Sequence, residues 1–212
     1  MALAVSCAPR CGPLPSTKTN RRNLSRRDEL SEGTMGPPID FSFRYFSSIA
    51  DIQDNETPRA ARTGRAPTQL QNKKFVTASL WLNNNLLPDI RGLSSLTRNL
   101  IEQPEALAWL DLSFNHLTDI SDEISQFPQL RILYLHANRL TKLNSVAKLR
   151  HFSKLRNLTL RGNPIDEIPS YRSYIISIIP QITRLDHVPI SNGERGSAPP
   201  AGFAKKKAIL LR

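Results

Sequence analysis

Residues able to do acid–base or metal chemistry are sparse in this chain and poorly arranged for it. The four histidines, His116, His136, His151 and His187, form no H-x-x-x-H pair. The adjacent carboxylates Asp122/Glu123 and Asp166/Glu167 are expected in turns and not facing one another across a cleft. No C-x-x-C, G-x-S-x-G or G-x-G occurs, so the usual metal, nucleophile and nucleotide signatures are missing. Catalysis and a cofactor are therefore not expected. Recognition chemistry is more orderly. Trp81, Trp109, Tyr134 and Arg161 each flank a leucine of an L-x-L run, and Trp, Tyr and Arg are the types that dominate interface hot spots.

The elements that must position these residues repeat. "LWLNNNLL" begins at Leu80, "LDLSFNHL" at Leu110, "LYLHANRL" at Leu133 and "LTLRGNPI" at Leu158. Each L-x-L is followed by two residues, an asparagine, one residue and an aliphatic. The asparagines, Asn85, Asn115, Asn138 and Asn163, are spaced by 30, 23 and 25 residues. This is the leucine-rich repeat spelling at its usual period. The expected fold is α/β: a right-handed solenoid of four repeats, with short parallel strands on a concave side and helices or turns on the convex side. After each strand the chain must turn while facing the core, where an unpaired backbone group is costly. An amide carries donors and an acceptor, so the asparagines are read as a stacked ladder, not as ligand sites.

Strand residues that alternate with the leucines should point out of the concave sheet. They are Ser79, Trp81 and Asn83; Trp109, Asp111 and Ser113; Ile132, Tyr134 and His136; and Asn157, Thr159 and Arg161. Of these, Trp81, Asn83, Trp109, Asp111, Ser113, Tyr134, His136, Thr159 and Arg161 are the candidate protein-binding residues. An exposed row with two Trp, one Tyr and one Ile suits a protein or peptide partner.

Between "LWLNNNLL" and "LDLSFNHL", Leu93, Leu96, Leu100 and Ile101 fit a helical stripe that Pro104 stops. The connection 121–130 looks partly 3₁₀, and 144–155 holds one to two helical turns. Tyr171, Tyr174, Ile175, Ile178 and Ile179 form a second stripe ended by Pro180, followed by a last strand over 182–186. The organisation read from this is a disordered basic tail (1–36), an N-terminal capping segment and linker (37–75), repeats (76–168), a C-terminal cap (169–190) and a second disordered basic tail (191–212).

Charge is lopsided, with 29 basic against 18 acidic residues and a net of +11. From Arg131 to Ile165 there are basic residues and no acidic ones: Arg131, Arg139, Lys142, Lys148, Arg150, Lys154, Arg156 and Arg161. Such a run attracts acidic partners by long-range steering. This gives a second reading, an electrostatic binder of an acidic polymer such as tubulin tails or nucleic acid. The nucleic-acid form is disfavoured, because no aromatic platform interleaves with the charges. Cys7 and Cys11 lie far from the repeats, which favours a reducing compartment over disulfide-capped extracellular repeats. No apolar run reaches the ~18 residues of a membrane span.

These motifs resemble the SDS22-like subclass of leucine-rich repeat proteins, with "YRSYII", "IPQIT" and "LD" like that group's cap. "PPIDFSF", "SLWLNNN", "LAWLDLSFN" and "LYLHANRL", in that order, resemble the leucine-rich repeat-containing protein 51 family over roughly residues 37–190. The resemblance implies a cytoplasmic, non-enzymatic repeat protein; with the outward residues above, the expected role is a scaffold or adaptor, expected to be monomeric outside its assembly. The resemblance also implies an association with cilia or flagella and a protein partner of the axoneme.

Overall fold

The structure, a computed structural model, describes residues 37–53, 56–59 and 66–196. One sheet of seven strands dominates it. The first three strands among the described residues are β1 (Ile39–Asp40), β2 (Thr68–Gln69) and β3 (Phe75–Val76). The repeat strands are β4 (Ser79–Trp81), β5 (Trp109–Asp111), β6 (Ile132–Tyr134) and β7 (Asn157–Thr159). They are followed by β8 (Arg184–Leu185) and β9 (Val188–Pro189). The sheet order is β1-β4-β5-β6-β7-β8-β9, parallel throughout except for the closing β8/β9 hairpin. A separate small hairpin pairs β2 with β3.

The register explains the period of the sequence. Leu80, Leu110, Leu133, Leu158 and Leu185 pair in one row across five strands, and all are sealed from solvent. Leu82, Leu112, Leu135 and Leu160 form the next buried row, and Leu87, Leu117, Leu140 and Ile165 a third. Each such leucine contributes roughly 1.5–3 kcal/mol when fully buried. The other side of this core is made of short helices: α1 (Leu93–Leu100), 3₁₀ turns at Pro104–Ala106 and Asp122–Gln126, then α2 (Leu143–Ala147) running into a 3₁₀ turn at Lys148–His151. α3 (Tyr171–Ile178) lays Tyr174, Ile175, Ile176 and Ile178 on the last coil.

The asparagine ladder is present. Asn138 Oδ1 accepts from Leu117 N, while its Nδ2 donates to Leu112 O of the preceding coil and Leu135 O of its own, all at 3.0 Å. Asn115 and Asn163 repeat this pattern one coil away on either side. Asn85 ends the ladder by accepting from Arg44 N and Phe46 N and donating to Phe41 O. The turn into each asparagine needs a left-handed residue. Asn84, Phe114, Ala137 and Gly162, one position before each asparagine, all have φ between 53° and 74°.

Two ends of the chain differ from the expected organisation. Residues 37–53 do more than lie along an edge. Ile39 pairs with Leu80, Phe41 is buried, and Phe43 has φ 58°, so "IDFSFR" is a half-coil with arginine where the asparagine would stand. At the other end the chain stays ordered beyond Ile190. α4 (Asn192–Gly196) is pinned by Arg172, whose Nε lies 2.6 Å from Glu194 Oε1. The proposed tail 1–36, and residues 197–212 of the proposed tail 191–212, lie outside the described residues.

Candidate functional site on the open sheet face

The face of the sheet away from the leucine core carries a run of rings. Trp81 and Trp109 meet edge on at 5.1 Å, and Trp109 meets Tyr134 at 5.9 Å. Tyr134 then contacts His136 at 6.1 Å and His187 at 5.3 Å, and Phe114 stands against His136 at 5.2 Å. T-shaped pairs of this kind contribute ~0.5–1.5 kcal/mol each beyond the area they bury. Ala108, Trp109 and Ile132, with Ala78, Trp81 and Tyr134 around them, form a second apolar cluster separate from the main core.

The nine residues singled out from the sequence do not form one exposed row. Arg161 is exposed, and Trp81, Asp111, Tyr134 and His136 are half-buried. Asn83, Trp109, Ser113 and Thr159 are buried. The reason is lateral packing, which alternation along one strand does not reveal. Trp109 is flanked by the rings of the neighbouring strands. Ser113 Oγ donates to Asp111 Oδ1 at 2.6 Å. Thr159 Oγ1 accepts from Leu135 N and lies 2.8 Å from His136 Nδ1. The Trp81 and Trp109 indole N–H groups are buried without acceptors, as is Asn83 Oδ1 without a donor. An unmet buried polar group costs about 1–3 kcal/mol.

Burial holds His136 below the ordinary imidazole pKa, helped by the nearby His187 and opposed by Asp111 and Asp186. Its ring is therefore neutral near pH 7. The sequence reading missed His187, Arg184 and Phe114. Aligning Leu185 with Leu158 would have found Arg184, which occupies the row of Asn157. His187 has no signal in the repeat. It is delivered by the two-residue turn Asp186–His187, with φ 52° and 65°, the primed-turn geometry that matches hairpin twist.

The basic run is dispersed. Lys148 Nζ lies 3.0 Å from Asp122 and 3.9 Å from Asp119, and donates to Ile120 O. Arg156 Nη1 donates to the carbonyls of Ser153, Leu155 and Gln181. Arg139, Lys142, Arg150, Lys154 and Arg161 are exposed. Among the described residues no cluster of three or more His, Cys, Asp or Glu could hold a metal ion, and no helix is long and apolar enough to cross a membrane.

A parallel sheet with one leucine row per strand, an asparagine ladder and a helical last coil define a leucine-rich repeat solenoid. The sequence model of the leucine-rich repeat family matches residues 79–211. Leucine-rich repeat-containing protein 51 of Macaca mulatta is 42% identical over 176 residues, covering 82% of this chain and 90% of that protein. The Homo sapiens protein of the same name is 41% identical over the same span. Among solved structures, the Drosophila melanogaster SNF/U2A′ complex contains a chain that is 28% identical, with a TM-score of 0.49 over 56% of this chain and 64% of that one. The chain thus belongs to the leucine-rich repeat proteins, and within them to the leucine-rich repeat-containing protein 51 family. Leucine-rich repeat proteins generally mediate protein–protein interaction.

Proposed function

We propose that this protein is a non-enzymatic adaptor that binds a protein partner on the open sheet face, in an assembly of the cilium or flagellum. The ring run from Trp81 through Trp109 and Tyr134 to His187 carries this reading. It joins residues of four coils in one continuous ring surface. The ciliary setting rests on the resemblance of the motif order alone. Affinity purification from ciliated cells, with nuclease present, tests the reading by comparing wild type with Trp81→Ala/Tyr134→Ala. Specific partners should vanish in the double variant, while its unfolding remains cooperative. A partner list that survives the double substitution contradicts the open-face site.

The alternative, electrostatic binding through residues 131–161, is weaker. Lys148 is committed to Asp119 and Asp122, and Arg156 to backbone carbonyls. It predicts steep salt dependence.

A further inference from the structure

Residues 56–59, part of the expected linker, lie against the outer edge of the sheet, where Arg59 bridges Asp40 of β1. Arg59 N donates to Asp40 O at 2.7 Å, and its Nη1 donates to Ser42 O at 3.1 Å. The Arg59 guanidinium lies 5.3 Å from the centre of the Phe43 ring. Arg44, which stands in the place of a ladder asparagine, donates from Nη2 to Thr57 O at 2.9 Å. Its Nη1 pairs with Glu56 Oε1 at 3.3 Å. Two arginines thus fasten a strap outside β1. The Asp40 carboxylate accepts from Ser42 N, and that of Asp51 from Ser47 N and Ser48 N. Among the described residues of 37–59, Glu56 is therefore the acid that faces Arg44.

Thr57 lies in this strap, exposed and outside any helix or turn. The residue before a proline is pushed to extended backbone, the form in which a protein kinase grips its acceptor segment. Thr57–Pro58 is also the only Ser-Pro or Thr-Pro step among the 212 residues. Proline-directed kinases read such a step because proline has no N–H to leave unbonded in their cleft. We propose that Thr57 is a phosphorylation site for a proline-directed protein kinase, and that its phosphate takes the place of Glu56 on Arg44. In the transfer, Thr57 Oγ1 bonds to the γ-phosphorus of ATP as the bond from that phosphorus to the bridging β-phosphate oxygen breaks. The hydroxyl proton passes to the catalytic aspartate of the kinase, and ADP leaves. Arg44 already holds the Thr57 carbonyl, so a phosphate on the same residue is delivered beside its fork. There a group of about −2 charge with three strong acceptor oxygens displaces one carboxylate. The strap stays closed and no longer depends on Glu56. This site lies at the N-terminal edge of the sheet and is independent of the open-face reading.

The test is phosphorylation of the folded full chain by a mitogen-activated protein kinase with ATP, mapped by mass spectrometry. Thr57 should take up phosphate, and Thr57→Val and Pro58→Ala should each lose that modification. Thr57→Val keeps the strap, because Arg44 holds the backbone carbonyl and not the hydroxyl. A folded chain that takes up no phosphate at Thr57, or uptake undiminished in Thr57→Val, overturns the site. So does absence of the phosphate from the chain recovered from cells treated with a phosphatase inhibitor. Hydrogen exchange at the Arg59 amide, which is bonded to Asp40 O, then reads the contact with Arg44. Glu56→Gln should speed this exchange about threefold in the unmodified chain, as loss of one partly exposed ion pair does. In the phosphorylated chain the same substitution should have no effect. A Glu56 effect that persists after phosphorylation, or phosphorylation that itself speeds exchange at Arg59, overturns the phosphate–Arg44 contact.

Discussion

The His187 ring stands 5.3 Å from the Tyr134 ring and 5.9 Å from the His136 ring, edge to face in both cases. His187 belongs to the closing hairpin, and the other two belong to β6 and the turn after it. The last coil therefore does more than cover the final leucine row. Its left-handed turn carries an imidazole back over the sheet and closes the ring run that starts at Trp81. Cap and open sheet face are built by the same few residues.

His136 gives the fold a pH dependence of definite sign. Burial lowers its pKa from the ordinary 6.5, so in mildly acid solution the unfolded chain takes up the proton more readily than the folded one. The stability linked to this group is present above about pH 6.5 and lost as pH falls toward its lowered value. Urea midpoints of wild type and His136→Gln, measured from pH 7.5 to 5, should show the wild type losing more on acidification. Parallel pH profiles would contradict the burial of this ring.

Asn138→Ala removes the acceptor for Leu117 N and the donor for Leu112 O and Leu135 O. At about 1–3 kcal/mol for each buried group left unmet, a loss of at least ~2 kcal/mol is expected in equilibrium unfolding. Asn138→Asp should be no better, because it keeps the acceptor but sets a charge against two carbonyls. A loss below ~0.5 kcal/mol for Asn138→Ala would deny the ladder its structural role.

Phe114 holds φ 53° and is 51% exposed, at the turn position where Asn84 and Gly162 adopt the same backbone at lower cost. Bulky residues are outliers in this region. Phe114→Asn should leave stability unchanged or raise it by up to ~1 kcal/mol, yet weaken partner binding through loss of the exposed ring beside His136. Gly162→Ala should do the opposite. Gly162 has φ +74°, and an added Cβ would meet Ala137 Cα and N at 3.3 Å, so a loss of at least ~1 kcal/mol is expected with binding intact. Thermal melts and partner pulldowns of the two variants check both halves.

The Arg172 hydrogen bond holds the Glu194 carboxyl down at about 2, whereas an unfolded glutamate titrates near 4.5. The contact should therefore hold α4 fully above pH 4.5 and release it as pH falls toward 2. Arg172→Ala should raise amide exchange across residues 192–196 at pH 7 without changing exchange in β4 to β7.

Most of this architecture is legible in the sequence because the repeat has a strict grammar. L-x-L sets the buried rows, the asparagine sets the turn, and both recur often enough to fix the register. What escaped lies where the grammar bends. "IDFSFR" has Phe and Arg in the leucine and asparagine places, so its strand reads as a plain cap. Trp109 and Thr159 read as outward positions, but rings on adjacent strands cover Trp109, and the Leu135 N–H and His136 imidazole meet the Thr159 hydroxyl, which alternation along one strand does not encode. His187 reaches the face through two left-handed residues, Asp186 and His187, that carry no glycine to announce the turn.

The most direct measurement is site-specific photocrosslinking in ciliated cells, with a benzoylphenylalanine placed in turn at Asp111, at His136 and at the exposed Lys142 outside the ring run. The account expects the same partner to be captured from Asp111 and His136 and not from Lys142. Capture from Lys142 alone would place the partner on the basic surface and contradict the open face as the binding site.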